Sequence, residues 1–170
     1  MRTGHSGASL LETLLVLALV LVFMLLASQR IIELRQSAER VGVQHTIATL
    51  QSALGTQMAV IALQQGLPGL AALHHSNPMD LLDLPPINYL AEHSPQDAPP
   101  PGSWVFDLQA RELIYRLRYP QLLFSSDAEQ SDRIRLQLQV TYQGDQLQRV
   151  AIEPLHDYRW LAEDTLAARP

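Results

Sequence analysis

Residues 1–30, MRTGHSGASLLETLLVLALVLVFMLLASQR, decide how the remaining sequence is to be read. From Leu14 to Ala27, fourteen consecutive residues carry no polar side chain. The twenty residues from Ala8 to Ala27, wound as a helix, span about 30 Å, the thickness of bilayer hydrocarbon. Leu, Val, Ala, Met and Phe fill the stretch, and no proline or glycine interrupts it after Gly7. A helix apolar on every side has no face to give to water, so a half-exposed surface helix is excluded and a buried core helix is disfavoured. A removable secretory signal places its small-residue cleavage site after the apolar region. Here the small residues Gly7-Ala8-Ser9 precede the run, and Ser28-Gln29-Arg30 follow it. The segment is therefore read as a retained membrane helix. Arg2 sets the N-terminus on the cytoplasmic side and the rest of the chain on the other.

Glu12 sets this segment apart from a plain anchor. An uncompensated acid at the bilayer centre costs roughly 2.5–3.5 kcal/mol on insertion scales, and less near the interface. Such a side chain asks for a cationic or hydrogen-bonding partner.

Beyond the apolar run the helical pattern continues. Ile31, Ile32, Leu34, Ala38, Val41, His45, Ala48, Ala53, Leu54, Met58 and Ile61 recur at helical spacings, while Glu33, Arg35, Gln36, Glu39 and Arg40 supply a wet face. Gly42 and Gly55 each lower helix propensity by about 1 kcal/mol relative to alanine, and any bend is expected there. Gly66-Leu67-Pro68-Gly69 stops the pattern. One helix over residues 8–65 follows, membrane-spanning over 8–27 and amphipathic over 28–65.

Residues 66–103 read as a proline-rich connector, broken at Pro68-Gly69, Asn77-Pro78, Pro85-Pro86, Ser94-Pro95 and Pro99-Pro100-Pro101-Gly102. Leu81, Leu82, Leu84, Ile87, Tyr89 and Leu90 are too apolar for a free linker, so the connector is expected to drape over the head. A helical turn over Met79–Leu84, capped by Asn77, is expected within it.

From Trp104 the hydrophobic period changes to two. Trp104–Asp107 and Glu112–Tyr119 bracket Leu108-Gln109-Ala110-Arg111 as a hairpin. Ile134, Leu136, Leu138, Val140 and Tyr142 alternate with polar residues, and Gln143-Gly144-Asp145-Gln146 turns the chain into a strand over Leu147–Ile152. Pro120–Asp132 reads as a polar loop, and Trp160–Ala168 as a short helix in the tail. The fold class is α+β: a long N-terminal helix whose second half packs on a small antiparallel sheet formed by the head, residues 104–170.

Composition removes several classes of function. The apolar share is 47% and the charged share 17%, which excludes a charged disordered chain. A net charge of −5, with twelve arginines and no lysine, is a poor match to nucleic acid. With no cysteine there is no disulfide, thiolate nucleophile or cysteine-ligated metal. His74, His75 and His93, with Asp80, Asp83 or Glu92, offer metal-ligating side chains, but adjacent loop histidines are expected to diverge, and no His-x3-His spacing preorganises ligands. Asp80 and Asp83 lie among leucines, which suits a solvated helix start better than an acid–base pair. No serine sits in a Gly-x-Ser-x-Gly or Ser-x-x-Lys arrangement. Trp104, Tyr115, Tyr119 and Tyr142 are read as strand core rather than a ligand stripe. No enzyme and no cofactor is expected.

The segment Gly7-Ala8-Ser9-Leu10-Leu11-Glu12 resembles the prepilin processing site of the type IV pilin and type II secretion pseudopilin family. That family has a short basic leader ending in glycine, glutamate as the fifth residue of the mature chain, and a long apolar helix. Counted from Ala8, Glu12 is fifth. The resemblance implies a leader over residues 1–7, cleavage between Gly7 and Ala8 by prepilin peptidase, methylation of the new Ala8 amine, and an assembly role for Glu12. It implies a pilin-like α+β head in the periplasm, an inner-membrane location, and other pilins or pseudopilins as partners. Ala8 stands where phenylalanine is commoner, and Gln29 where many major pilins carry proline. With no cysteine pair, a minor pilin or pseudopilin fits better than a major pilin. Asn77-Pro78-Met79-Asp80-Leu81-Leu82 and Pro101-Gly102-Ser103-Trp104-Val105-Phe106-Asp107 are similar to minor pilins of the mannose-sensitive haemagglutinin pilus. The alternative is a single-pass, membrane-anchored periplasmic binding module that never polymerises.

A side chain at Gly7 obstructs an extended substrate backbone held close to the membrane. Gly7→Leu is expected to leave the leader attached, seen as a slower-migrating band; normal processing contradicts the resemblance.

Overall fold

The computed structural model describes residues 10–93, 98–125, 131–144 and 146–161, apart from the side chains of residues 29, 92 and 93. The chain divides into two units, residues 1–38 and 39–170. Helix α1 (Leu10–Gln65) contributes residues to both. It ends where Gly66 turns to a φ of 73°, a conformation that costs glycine little. The Gly66 N–H still donates to the Ala62 carbonyl at 3.2 Å, closing the last turn.

In the second unit, the helix face turned to the core carries Val43, Leu50 and Leu54, with Ile47, Met58 and Ile61 partly buried beside them. This corrects the expected stripe. Val41 is 62% exposed, and His45 and Ala48 are exposed too. Two neighbouring helical phases satisfy three- and four-residue spacing between residues 38 and 54. The sheet takes the one that buries the larger aliphatic side chains.

The expected strands are present: β2 (Trp104–Asp107), β3 (Glu112–Arg116), β5 (Arg133–Gln143) and β6 (Gln146–Pro154), each antiparallel to its neighbour. Strand β5 buries Ile134, Leu136, Leu138 and Val140 in strict alternation, as its period-two pattern requires. The β2–β3 turn is closed by Asp107, whose carboxylate accepts from the Gln109 and Ala110 amides at 2.8 and 3.0 Å.

Two features depart from the simple four-stranded expectation. Strand β1 (Tyr89–His93), within the connector, pairs parallel to β2 and makes a five-stranded sheet of order β1-β2-β3-β5-β6. Strands β4 (Leu123–Ser125) and β7 (Tyr158–Trp160) form a second, two-stranded sheet from stretches read as polar loop and tail, β7 overlapping the expected tail helix only at Trp160. The β4–β7 pairing joins segments far apart in sequence and the parallel β1–β2 pairing is not a hairpin, so no local turn announces either. Trp160 is thus in a strand; residues 162–170 lie outside the described residues.

The connector packs as expected at one end and not at the other. Asn77 caps the 3-10 turn Pro78–Leu81, its side-chain oxygen accepting from the Met79 amide at 3.1 Å, and Met79 is buried in the core. Leu84 and Ile87, expected as anchors, are exposed instead. Pro85 and Pro86 between them fix extended backbone.

Glu39 ties the second unit's helix to the end of β3. Its carboxylate accepts from the Tyr115 hydroxyl at 2.9 Å and from the Arg118 and Tyr119 amides at 2.7 and 3.1 Å. Burial, then the neighbouring Glu39 charge, push the Tyr115 phenol well above its ordinary value. Gly102, at a φ of 84°, lies directly under the Arg118 side chain, where a Cβ would collide with the guanidinium nitrogen.

Glu39→Ala orphans all three donors and is expected to cost about 2 kcal/mol, with Tyr115→Phe costing about half as much. Thermal unfolding followed by circular dichroism measures both. Because the Tyr115 pKa is raised on folding, its contribution is whole below about pH 10 and lost as the pH climbs towards the folded-state value. Equal melting of Glu39→Ala and the parent contradicts the clamp.

Candidate functional site: the apolar helix segment and its acid

Every residue of α1 from Leu10 to Ser28 is exposed. The most apolar stretch has a mean hydropathy of 2.8, and none of it is buried. Leu10, Leu11, Leu14, Leu19 and Phe23 each expose more than seven-tenths of their surface. Soluble monomers do not leave so large a contiguous apolar surface in water. The segment is long and apolar enough to cross a membrane. Its backbone donors and acceptors are satisfied within the helix, as hydrocarbon requires.

Glu12 stands exposed in the first turn of α1. There the positive end of the helix dipole favours a carboxylate. No described basic side chain forms an ion pair with it. Gly7 and Ala8, the two residues assigned to processing, lie outside the described residues. Just beyond the apolar run, Arg30 pairs with Glu33 at 2.9 Å across one helical turn. Both are exposed, so the pair adds little stability.

Several polar groups of the head hold the fold. Arg135 grips the buried Glu112 through two hydrogen bonds of 2.6 and 2.8 Å, with the His156 ring 3.1 Å from its third nitrogen. Asp132 sits between Arg133, at 2.9 Å, and Arg116, at 3.3 Å. Its partial burial works to raise its pKa, but the two guanidiniums outweigh this and hold the carboxyl below its ordinary value. Asp80 accepts from the Asn77 amide at 3.0 Å, while Asp83 is exposed.

His74 and His75 do not diverge: their rings stack 3.8 Å apart. A positive φ at His75 turns the backbone back on itself and lays the pair along the part of β5 that outruns β3. The Val140 N–H donates to His74 Nδ1 at 3.1 Å, and the His75 N–H to the Leu138 carbonyl at 2.9 Å. These two contacts cover backbone groups that an open strand edge would expose. Trp104 and Tyr115 are buried in contact, with centroids 4.8 Å apart, whereas Tyr142 is 44% exposed. No pattern of spacing marked Glu39, Glu112 or Arg135, because their partners are distant in sequence.

No family model matches this chain, and no curated protein or solved structure matches it either. What the geometry defines is a class: a chain with one N-terminal helix fit to span a bilayer, an acid in that helix's first turn, and an α+β head.

A charge in the middle of the apolar run tests the membrane assignment. Leu19→Arg adds about 2.5–3.5 kcal/mol to insertion. It is expected to move protein from the carbonate-resistant membrane pellet to the soluble or degraded fraction. An unchanged distribution contradicts a spanning helix.

Proposed function

We propose that this chain is a minor pilin or pseudopilin, a structural and assembly subunit of a type IV pilus or type II secretion filament. The observation that carries this reading is the acid Glu12 in the first turn of a helix whose N-terminal apolar segment is exposed throughout, five residues after Gly7 and followed by an α+β head. Prepilin peptidase cuts between Gly7 and Ala8, and the apolar segment over residues 8–27 stores the monomer in the inner membrane with its head in the periplasm. The helix later carries the subunit into the filament.

The chemistry of Glu12 follows from desolvation. Entering a helix bundle moves the carboxylate from the membrane interface into apolar surroundings, where an isolated charge is untenable and a paired one is tolerated. Cleavage creates a cation of suitable reach, the ammonium on Ala8 of a neighbouring subunit. Methylation of that amine keeps its charge. The pairing is needed at docking rather than at folding.

Two measurements test the reading. The N-terminal mass of the membrane-bound protein is expected to correspond to a chain starting at methylated Ala8; an intact Met1 favours the non-polymerising anchored module. Glu12→Ala is expected to leave cleavage, insertion and the head intact but to deplete the protein from sheared filaments about tenfold or more, the loss of one buried charge pair. Glu12→Asp, which reaches the amine poorly, falls between. Full assembly of Glu12→Ala in the filament shaft contradicts the role assigned to this residue.

A further inference from the structure

One hydrogen bond of the head ends on a titratable ring. A backbone amide only donates, so the Val140 N–H, 3.1 Å from His74 Nδ1, makes that nitrogen an acceptor. A ring nitrogen that accepts carries no proton, and His74 is therefore the neutral tautomer with its proton on Nε2. The charged imidazolium has two donors and no acceptor. Adding a proton to His74 sets donor against donor and ends the contact.

The position of this bond gives it leverage. Strand β5 pairs with β3 only as far as Leu136, opposite Leu113. Beyond that point His75 and His74 take up the Leu138 carbonyl and the Val140 N–H. The two histidines follow the 3-10 turn Leu67–Leu73, whose Leu70 and Leu73 are buried in the core. The turn is closed by its own bonds, from the His74 and Ser76 amides to the Ala71 and Leu73 carbonyls at 3.1 and 3.0 Å. Those backbone bonds and that apolar burial do not titrate; the edge contact does. His75 holds a φ of 58°, a left-handed conformation that a non-glycine residue keeps only where its surroundings impose it. The rings stack 3.8 Å apart, so a charge on both adds like-charge repulsion.

The elements around the pair bring few other charges. The turn Leu67–Leu73 and residues 58–65 of α1 bring none. Strand β5 brings Tyr142, together with Arg133 and Arg135, which are held by Asp132 and by Glu112 of β3. On β3 Arg116 is likewise held by Asp132, and on β6 Arg149 and Glu153 pair with each other. The β2–β3 turn brings the exposed Arg111, and the turn Pro78–Leu81 brings Asp80, bonded to the Asn77 amide and followed by the exposed Asp83. Asp145, at the tip of the β5–β6 hairpin, lies outside the described residues. Among the described residues none forms an ion pair with either histidine ring, so no carboxylate holds the imidazolium in place.

We propose that His74 is a proton-operated latch on the open edge of β5: the neutral ring holds the Val140 N–H, and the imidazolium releases it. The direction follows from the bond. The contact is whole above the ordinary imidazole range and is lost as the pH falls through it. Opening is local, because Leu70 and Leu73 keep the preceding turn on the core. It leaves the Leu138 carbonyl and the Val140 N–H as a short length of unpaired strand edge, the kind of backbone surface to which another strand adds. The latch belongs to the head alone and stands or falls apart from processing at Ala8.

Amide exchange of the full-length protein in detergent micelles, followed by NMR and corrected for the intrinsic pH dependence of exchange, tests the latch. Protection of the Val140 amide is expected to fall about fivefold between about pH 8 and about pH 5, the ratio for one hydrogen bond. Amides within the β5–β6 pair serve as the internal reference and should hold. His74→Phe keeps a ring to stack on His75 but has no acceptor and no titration, so its Val140 amide should be poorly protected at both pH values. His74→Asn offers a side-chain oxygen in place of Nδ1 and does not titrate; protection retained at about pH 5 in that variant completes the case. Equal Val140 protection at the two pH values in the parent overturns the proposal. So does a pH-dependent fall that persists in His74→Phe, since another group would then be titrating. A loss shared by every β5 amide also overturns it, because that is unfolding of the sheet rather than release of its edge.

Discussion

A helix that is apolar on every side must be covered by something other than its own chain. The stretch from Leu10 to Ala27 imposes that constraint here, since none of it is buried. Lipid and a bundle of like helices both satisfy it, and neither asks for side-chain shape so much as for length and uniformity. Glu12 is the exception, and its value lies in its cost. Hydrocarbon penalises this carboxylate, and in the filament we propose a neighbouring cation relieves it, so one arrangement is preferred to the others. A uniformly apolar helix has no such preference.

In the head the controlling interaction is of another kind. Val43, Leu50 and Leu54 on α1 meet the inward faces of β2, β3 and β5 in a single apolar cluster with Trp104 and Phe106. Apolar burial supplies the drive but is indifferent to small shifts of register. Direction comes from a few polar groups: Glu39 holding the Tyr115 hydroxyl and two amides, Arg135 holding Glu112, and Asn77 capping the turn at Met79. Among the described residues no buried side-chain polar atom is left without a hydrogen-bond partner, so the core gives up little to desolvation.

The edges of the sheet show how this head differs from a plain four-stranded meander. Strand β5 outruns β3, and the stacked His74 and His75 cover part of the surplus edge. The connector adds β1 to the other side of β2 and, just before it, holds Leu84 and Ile87 into solvent.

Much of this was legible in the sequence, for physical reasons that can be named. The apolar character of residues 8–27, unbroken from Leu14, reports a helix of membrane length, and strict alternation in β5 reports one buried and one wet face. Gly66 marks the end of α1, and Asn77 the start of the next turn, through backbone geometry and side-chain reach that act within a few residues. Tertiary structure decided the rest. The phase of the buried stripe on α1, the parallel strand β1, the β4–β7 pair, the stacking of His74 on His75 and the exposure of Leu84 and Ile87 all depend on what lies opposite. Local propensity is set by a residue's own backbone and nearest neighbours, whereas these features are set by partners up to eighty residues away, as Glu39 and Tyr119 are. Sequence therefore determined the long helix, the four strands β2, β3, β5 and β6, and the membrane-compatible run. Only the folded chain determined which faces meet, because burial rewards the best-filled interface among several that the same periodicity allows.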